Sequence, residues 1–219
     1  MPKLELVIAN KNYSSWSMRP WVLLREAGIA FGEIQLKFGE DGRIPGAERY
    51  SPTGQVPVLL LDGEPVWDSL AIFETVAELF PDKQLWPRDP GARRRARSVC
   101  AEMHAGFRAL RGAMPMNIRA SHPGKGMSPA VQRDIDRIAG LWQDCRSRFG
   151  AGGAMLFGAF GAADAMFAPV VTRFATYAVD LPAGARAYAD SVLGLASVRE
   201  WSDAARRETE IVRAEEPYA

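Results

Sequence analysis

The sequence predicts an α/β segment in the first 80 residues and an all-helical segment in the remainder. Short apolar runs typical of strands occur only before residue 80, and helical periodicity dominates after residue 91. Between the two lies a segment with three prolines, which is typical of a linker. We therefore predict one domain at 1–80, a linker at 81–91 and a second domain at 92–219.

The first segment is predicted to have the order β-α-β-β-β-α. Apolar runs and period-two alternation identify the strands, and apolar residues three or four apart identify the helices. An Asp-Gly pair between the last two strands predicts a hairpin. The elements are a strand at 4–9, a helix ending near Gly28, and strands at 31–38, 56–61 and 64–67, followed by a helix at 70–80.

Five helices are predicted after the linker. Their apolar residues recur at helical spacing, and no run rich in β-branched residues interrupts them. The predicted helices span 92–110, 129–149, 162–177, 185–195 and 197–208.

Composition narrows the function classes. Lys and Arg number 27 against 26 Asp and Glu, a balance that argues against a nucleic-acid partner. No apolar run reaches the roughly 18 residues that span a bilayer, and the N-terminus lacks a signal-peptide pattern. The two cysteines form no CxxC pair, and the two histidines are too sparse for a metal site. We expect a cytoplasmic protein without a membrane segment or a metal.

The stretch NYSSWSMRPW, residues 12–21, joins the first strand to the first helix. Helix N-termini carry unpaired N–H groups and a partial positive charge, so they favour anions such as a thiolate. A hydroxyl of Ser14 or Ser15 could donate a hydrogen bond to such a sulfur. The alternative is that one of the serines only caps the helix.

The stretch SPTGQVPVLLLDG, residues 51–63, brings a proline to the start of a strand. A cis Val56–Pro57 bond would turn the backbone of Val56 outward, where it could pair with the peptide backbone of a ligand. The alternative is an ordinary trans proline at the first strand residue.

The stretch VWDSLAIFETV, residues 66–76, places Asp68 and Ser69 before an apolar helix. Either residue can cap that helix. The same geometry leaves N–H groups and the Ser69 hydroxyl available for a ligand carboxylate, while Asp68 could hold an ammonium group.

Together, in this order and spacing, the three stretches resemble those of the glutathione transferase superfamily. SSWSMRPWVLL is similar to the zeta-type motif of maleylacetoacetate isomerase-like members, in which two serines and a cysteine precede an arginine. Ser14, Ser15 and Arg19 take the serine and arginine positions, and Trp16 replaces the cysteine. The resemblance extends over essentially the whole chain.

The resemblance implies a thioredoxin-like N-terminal domain followed by an all-helical domain, in a homodimer. It implies glutathione as co-substrate, with Ser14, or instead Ser15 or Tyr13, donating to the sulfur. The implied glutathione-binding residues are Gln55, Val56, Pro57 (cis), Asp68 and Ser69. The implied reaction is attack on a small hydrophobic electrophile, by conjugation, isomerisation or peroxide reduction.

The second substrate is expected between the domains, with Tyr13 and Trp16 on one wall. Met103 and Phe107 could line the other wall, or Met103 could belong to the core. Arg108 and Arg111 could face an acidic substrate or lie on a solvated helix face.

Further along, GAMLFGAFGAADAMFAPVV resembles a family segment in which a serine or threonine caps a buried helix and an aspartate three residues on reciprocates. Here Gly161 stands at the cap, and Asp164 is retained. A different class of function, a non-catalytic glutathione-binding or interaction protein, remains open because fold does not fix function.

Overall fold

Four strands form one sheet in the order β2-β1-β3-β4. The structure is a computed structural model that describes residues 2–219. Strand β1 pairs in parallel with β2 and antiparallel with β3, which in turn pairs antiparallel with β4. The elements are β1 (Leu4–Ile8), α1 (Ser15–Glu26), β2 (Gly32–Gln35), β3 (Val58–Leu61), β4 (Glu64–Val66) and α2 (Ser69–Leu79). The predicted order and the thioredoxin-like class are confirmed.

Both faces of the sheet are covered, which explains why β3 is a continuous apolar run and β1 is apolar except for Glu5. On one face, Leu6 and Ile8 pack into the main core with α1 and α2. On the other face, Val7, Val58 and Leu60 form a small cluster under residues of the 34–56 segment. The 34–56 segment therefore covers the face of the sheet opposite the main core.

Six further α-helices follow α2 within residues 2–219. They are α3 (Pro90–Ala105), α4 (Arg108–Ala113), α5 (Pro129–Phe149), α6 (Ala162–Thr176), α7 (Ala183–Leu193) and α8 (Ala196–Arg207). Asp89 caps α3 by accepting from the Ala92 N–H at 2.6 Å, and Ser128 caps α5 by accepting from the Val131 N–H at 3.2 Å. Proline is the first residue of both helices, where its missing N–H costs little. No helix described over residues 2–219 has the length and apolar character to cross a membrane.

The single helix predicted at 92–110 is two helices, and that prediction is wrong. The chain breaks at Gly106 and Phe107, and Phe107 adopts the left-handed φ of 61°. The guanidinium of Arg111 donates to the carbonyls of Met103, His104 and Gly106, which are left without helical partners at the end of α3. The break therefore turns Arg111 back toward the end of α3.

Helix α6 is the centre of the helical segment and packs against α1 and α3. Nearly every residue along it is buried, including two charged ones, Asp164 and Arg173. A helix that is apolar on all sides is typical of a core position, so these two charges require a specific explanation.

The buried charge of Asp164 is explained by hydrogen bonds that its carboxylate accepts at the start of α6. Its carboxylate accepts from the Gly161 N–H at 2.9 Å, the Leu156 N–H at 3.1 Å and the Tyr188 hydroxyl at 3.1 Å. Burial raises the pKa of this carboxyl to about 6, although those donors favour the charged form. The reciprocal half of the predicted cap is therefore present.

Close packing explains the glycine at the cap. The carbonyl of Leu85 accepts from the Ala162 N–H at 2.8 Å, and a Cβ added at Gly161 would lie 2.8 Å from that same oxygen. A serine there would gain a capping hydroxyl only by displacing backbone that the helix uses.

We expect Gly161→Ser to lower the free energy of unfolding by roughly 1–2 kcal/mol, because the steric cost exceeds the few tenths gained by a better cap. Urea unfolding measures the difference. The matched control is Gly140→Ser in α5, where nothing lies within 4 Å of the added Cβ. The control should gain about 0.5 kcal/mol from helix propensity. A stabilised Gly161→Ser protein would contradict the steric explanation.

Candidate active site

A cavity of about 560 Å³ lies between the sheet segment and the helices, beside the N-terminus of α1. The predicted site residues that line it are Tyr13, Ser14, Ser15, Trp16, Gln55, Val56, Pro57 and Asp68. Its other wall carries His104, Arg111, Arg173 and Glu215. Residues from seven separate stretches of the chain therefore line one cavity.

The two serines at the start of α1 make different contacts. Ser14 occupies the N-cap position without capping the helix, and its hydroxyl donates to the Ser17 hydroxyl at 2.7 Å. Ser15 Oγ instead accepts from Nη2 of Arg173 at 3.0 Å. The proton of Ser14 is thus already engaged, whereas Ser15 keeps its own proton for a further acceptor.

The third predicted donor, Tyr13, is also engaged. Its hydroxyl hydrogen-bonds the carboxylate of Glu216 and accepts from Nη2 of Arg119 at 2.8 Å. Burial, followed by the bond to Glu216, raises the pKa of this phenol above its ordinary value. Tyr13 therefore presents its ring rather than a free hydroxyl to the cavity.

The Val56–Pro57 bond is cis, as the family resemblance implies, and both residues line the cavity together with Gln55. The Trp67–Asp68 bond is also cis. Asp68 uses one carboxylate oxygen to cap α2 at the Leu70 N–H, 2.9 Å away. Its other oxygen lies 3.1 Å from Nε2 of His104.

Ser69 is the exception among the predicted glutathione-binding residues. It is fully buried as the first residue of α2 and does not line the cavity. Its hydroxyl oxygen has no hydrogen-bond partner among the described residues. Its assignment to ligand binding remains a prediction.

The expected second wall of Met103 and Phe107 lies in the hydrophobic core instead of the cavity lining. Met103 is fully buried because it points from α3 toward the interior, which was the alternative reading of its helical spacing. The wall facing Trp16 is cationic. Its Arg111 was a candidate from sequence, whereas Arg108 is exposed and does not line the cavity.

The Trp16 ring is surrounded by two guanidinium groups and a histidine ring. Its ring centroid lies 4.2 Å from the guanidinium carbon of Arg19 and 4.9 Å from that of Arg111, and the His104 ring meets it edge-on at 5.1 Å. The π-face of tryptophan attracts such groups. The residue that replaces the family's cysteine therefore helps to hold positive charge at the cavity.

Arg19 lies behind this wall and is completely buried. None of its three guanidinium nitrogens has a hydrogen-bond partner among the described residues. Burial, with repulsion from Arg111 and Arg173, lowers its pKa well below the ordinary value.

Arg173 also lines the cavity, and it was not among the candidates identified from the sequence. It is 4% exposed, and its Nε and Nη1 have no hydrogen-bond partner in the described chain. Burial, with repulsion from Arg111, lowers its pKa to about 10, so it remains charged at neutral pH. A buried cation with unused donors at a cavity is an arrangement that binds anions.

The two cysteines take no part in this site. Both are buried, and burial raises the pKa of Cys145 to about 11 and also holds that of Cys100 well above its ordinary value. Within residues 2–219, no cluster of three or more His, Cys, Asp or Glu side chains is arranged to hold a metal ion.

The N-terminal part of this geometry has a match among known families. Residues 13–79 match the family model of the glutathione S-transferase N-terminal domain. This segment is therefore a glutathione S-transferase N-terminal domain. Its zeta-like character agrees with its relatives, which carry the name maleylacetoacetate isomerase.

Two relatives illustrate how similar this chain is to named proteins. The "probable maleylacetoacetate isomerase" of Caenorhabditis elegans is 30% identical over 96 residues, which is 44% of each chain. The maleylacetoacetate isomerase of Rattus norvegicus is 25% identical over 172 residues, which is 77% of each chain. The matched segment thus spans less than half the length of the nematode protein.

Solved structures extend the similarity of fold over almost the whole chain. A glutathione transferase homolog from Burkholderia with bound glutathione is 20% identical, has a TM-score of 0.72, and aligns over 94% of this chain and 100% of its own. A Tau class glutathione S-transferase from mango is 18% identical, has a TM-score of 0.69, and aligns over 93% and 96%. At these identities the likeness concerns the fold.

Proposed function

We propose that this chain is a glutathione-dependent enzyme that ionises the glutathione thiol and directs it at a small electrophile carrying an anionic group. One observation carries the proposal. A single cavity brings the hydroxyl at the N-terminus of α1 together with the cationic wall of Arg111 and Arg173. The first is suited to a thiolate and the second to an acidic substrate.

Glutathione would lie along the sheet-bearing segment. The backbone of Val56, which lines the cavity, would pair with its cysteinyl backbone, as an added strand does. Gln55 and Asp68 would bind the γ-glutamyl group, with Ser69 and the start of α2 near its carboxylate. Asp68 would then exchange its contact with His104 for the ammonium of the ligand.

The thiol would be activated beside Ser15. A helix N-terminus and a nearby guanidinium both favour the charged form, and cysteine thiols in such surroundings fall from about 8.5 to roughly 3.5–7.5 in pKa. The Ser15 hydroxyl would donate to the sulfur while its oxygen accepts from Arg173. The thiolate then attacks as a nucleophile that belongs to the co-substrate.

The second substrate would bind against the ring faces of Tyr13 and Trp16, with its anionic group at Arg111 and Arg173. Attack on a carbon that bears a leaving group gives conjugation. Reversible addition to a conjugated double bond gives isomerisation, because the S–C bond forms, the former double bond rotates and the S–C bond breaks again. The names of the rat and nematode relatives favour testing this second reaction.

We also propose that the two domains predicted from the sequence have separate roles. Residues 1–80 would bind glutathione, and residues 92–219, joined by the linker at 81–91, would supply the second-substrate wall. The functional unit would be a homodimer in the cytoplasm.

The test is glutathione titration by calorimetry, followed by activity with an aryl halide, a maleyl compound and a hydroperoxide. We expect saturable glutathione binding and turnover of the maleyl compound, which carries carboxylates, above that of the neutral aryl halide. Glutathione binding without turnover of any member of the panel would favour the non-catalytic alternative. Absence of glutathione binding would overturn the proposal.

A further inference from the structure

Residues after α8 contribute Glu215 to the cavity lining. Residues 208–219, here called the C-terminal strap, follow α8 and pass from the β1–α1 turn toward α4. At one end, the Glu208 carboxylate accepts from the backbone N–H groups of Lys11 at 2.7 Å and Asn12 at 2.9 Å. At the other, the Tyr218 hydroxyl donates to the Ala113 carbonyl at 2.7 Å. The strap is therefore held at both ends.

Arg119 also holds the strap, through contacts near its first residues. This guanidinium donates to the carbonyls of Glu208 and Glu210 and to the hydroxyl of Tyr13. The Tyr13 hydroxyl in turn bonds the carboxylate of Glu216. Because Tyr13 lines the cavity, the strap is a part of the wall of the second-substrate site rather than a loose end.

Between these anchors, Glu215 faces into the cavity that Arg173 also lines. Burial raises the pKa of the Glu215 carboxyl, and attraction by Arg173 opposes that rise. No direct ion pair joins the two side chains within residues 2–219, although each belongs to the same cavity wall. Both side chains line the same cavity, and Nε and Nη1 of Arg173 have no hydrogen-bond partner among the described residues.

We propose that Glu215 is a specificity-determining residue, whose carboxylate competes with the anionic group of the substrate for the field of Arg173. The inference rests on the proposed function. A substrate anion at Arg173 would bind beside the negatively charged Glu215. The strap would therefore weaken the binding of small anions at this site. Two like charges several ångströms apart at a partly solvated site repel enough to change affinity severalfold.

The competition between Glu215 and a ligand anion is measurable because the Arg173 guanidinium lies close to the expected position of the sulfur. Nη2 of Arg173 lies 3.0 Å from Ser15 Oγ. If the glutathione sulfur sits beside Ser15, a carboxylate one carbon away from that sulfur lies within reach of the guanidinium. S-Carboxymethylglutathione carries such a carboxylate, whereas S-methylglutathione lacks it.

The experiment measures the dissociation constants of both analogues, and their ratio, in the wild type, in Glu215→Gln and in Glu215→Ala. The ratio removes any general effect on glutathione binding. We expect both variants to shift it at least about fivefold in favour of the carboxymethyl analogue. Glu78→Gln is the matched control, since it removes the same charge from an exposed position of α2 outside the cavity lining, and it should leave the ratio as in the wild type.

The outcomes separate the two proposals. If both analogues bind and the ratio stays the same in both Glu215 variants, the role of Glu215 is wrong while the proposed function stands. If the ratio shifts equally in Glu78→Gln, the effect is one of net charge and the role of Glu215 is also wrong. If neither analogue binds the wild type, the proposed function fails, and the role of Glu215 fails with it.

Discussion

Replacing Ser15 with alanine should lower kcat/KM by roughly 100-fold, the usual cost of removing one hydrogen-bond donor from a reacting anion. Ser15 is the hydroxyl at the start of α1 whose proton is not already engaged, and its oxygen accepts from a buried guanidinium. That guanidinium polarises the hydroxyl and strengthens it as a donor. The loss should fall on kcat more than on KM, because the backbone of glutathione is bound elsewhere.

Ser14→Ala is the matched comparison. The two serines are adjacent, similarly buried, and both line the cavity. Ser14 already donates to Ser17, so its replacement should cost less than about tenfold, mainly through loss of order at the β1–α1 turn. A larger loss in Ser14→Ala than in Ser15→Ala would show that ligand binding turns the Ser14 hydroxyl toward the sulfur.

Titration of bound glutathione separates chemistry from packing. Ultraviolet absorbance of the thiolate, followed against pH, gives the pKa of the bound thiol. The donor to the thiolate stabilises the charged form, so Ser15→Ala should raise this pKa by about one unit or more. An unaltered thiol pKa alongside slow turnover would assign Ser15 to positioning of the second substrate.

The fold was largely predictable because local patterns agree with it. The helix predicted at 129–149 is α5 to the residue, since Ser128 and the proline after it give a clear start and Gly150 follows its end. The helix predicted at 92–110 failed for a reason that periodicity does not contain. The side chain of Arg111, five residues beyond Gly106, donates to carbonyls at the end of α3 and so replaces the next helical turn. The spacing of apolar residues continues across the break and does not reveal it.

The sequence predicted only those site residues that lie together in a short motif. The serines at the start of α1 and the cap residue of α2 lie in short motifs that report backbone geometry. Arg173 contacts Ser15 across 158 positions of sequence, and no spacing rule connects them. One signal was available: Arg173 is the single basic residue in the largely apolar α6, and a charge in a core helix is usually paired or functional. Glu215 gave no such signal, because its segment is charged and irregular.

Replacing Arg173 with methionine should lower activity while raising stability, and this opposition distinguishes a functional charge from a structural one. The guanidinium is buried, and two of its nitrogens have no partner in the described residues. Its pKa of about 10 lies below the ordinary 12.5, so the folded state disfavours the cation relative to the unfolded chain. At neutral pH the charge therefore costs folding free energy, and methionine removes that cost.

We expect Arg173→Met to raise the free energy of unfolding by about 1–3 kcal/mol in urea titrations, as replacement of buried charges by apolar groups often does. The same variant should lower kcat/KM for a carboxylate-bearing electrophile by roughly 100-fold, because a charged hydrogen-bonding partner of the substrate is lost. The loss with a neutral electrophile should be smaller and should reflect only the missing support to Ser15.

Arg108→Met is the control for both measurements. Arg108 is exposed at the start of α4 and does not line the cavity, so its replacement should leave stability within about 0.5 kcal/mol and selectivity as in the wild type. A destabilised Arg173→Met protein would mean that the guanidinium is a structural bridge to α1 through Ser15. Equal losses with charged and neutral electrophiles would mean that Arg173 acts on the thiol alone and that Arg111 must bind the anionic group.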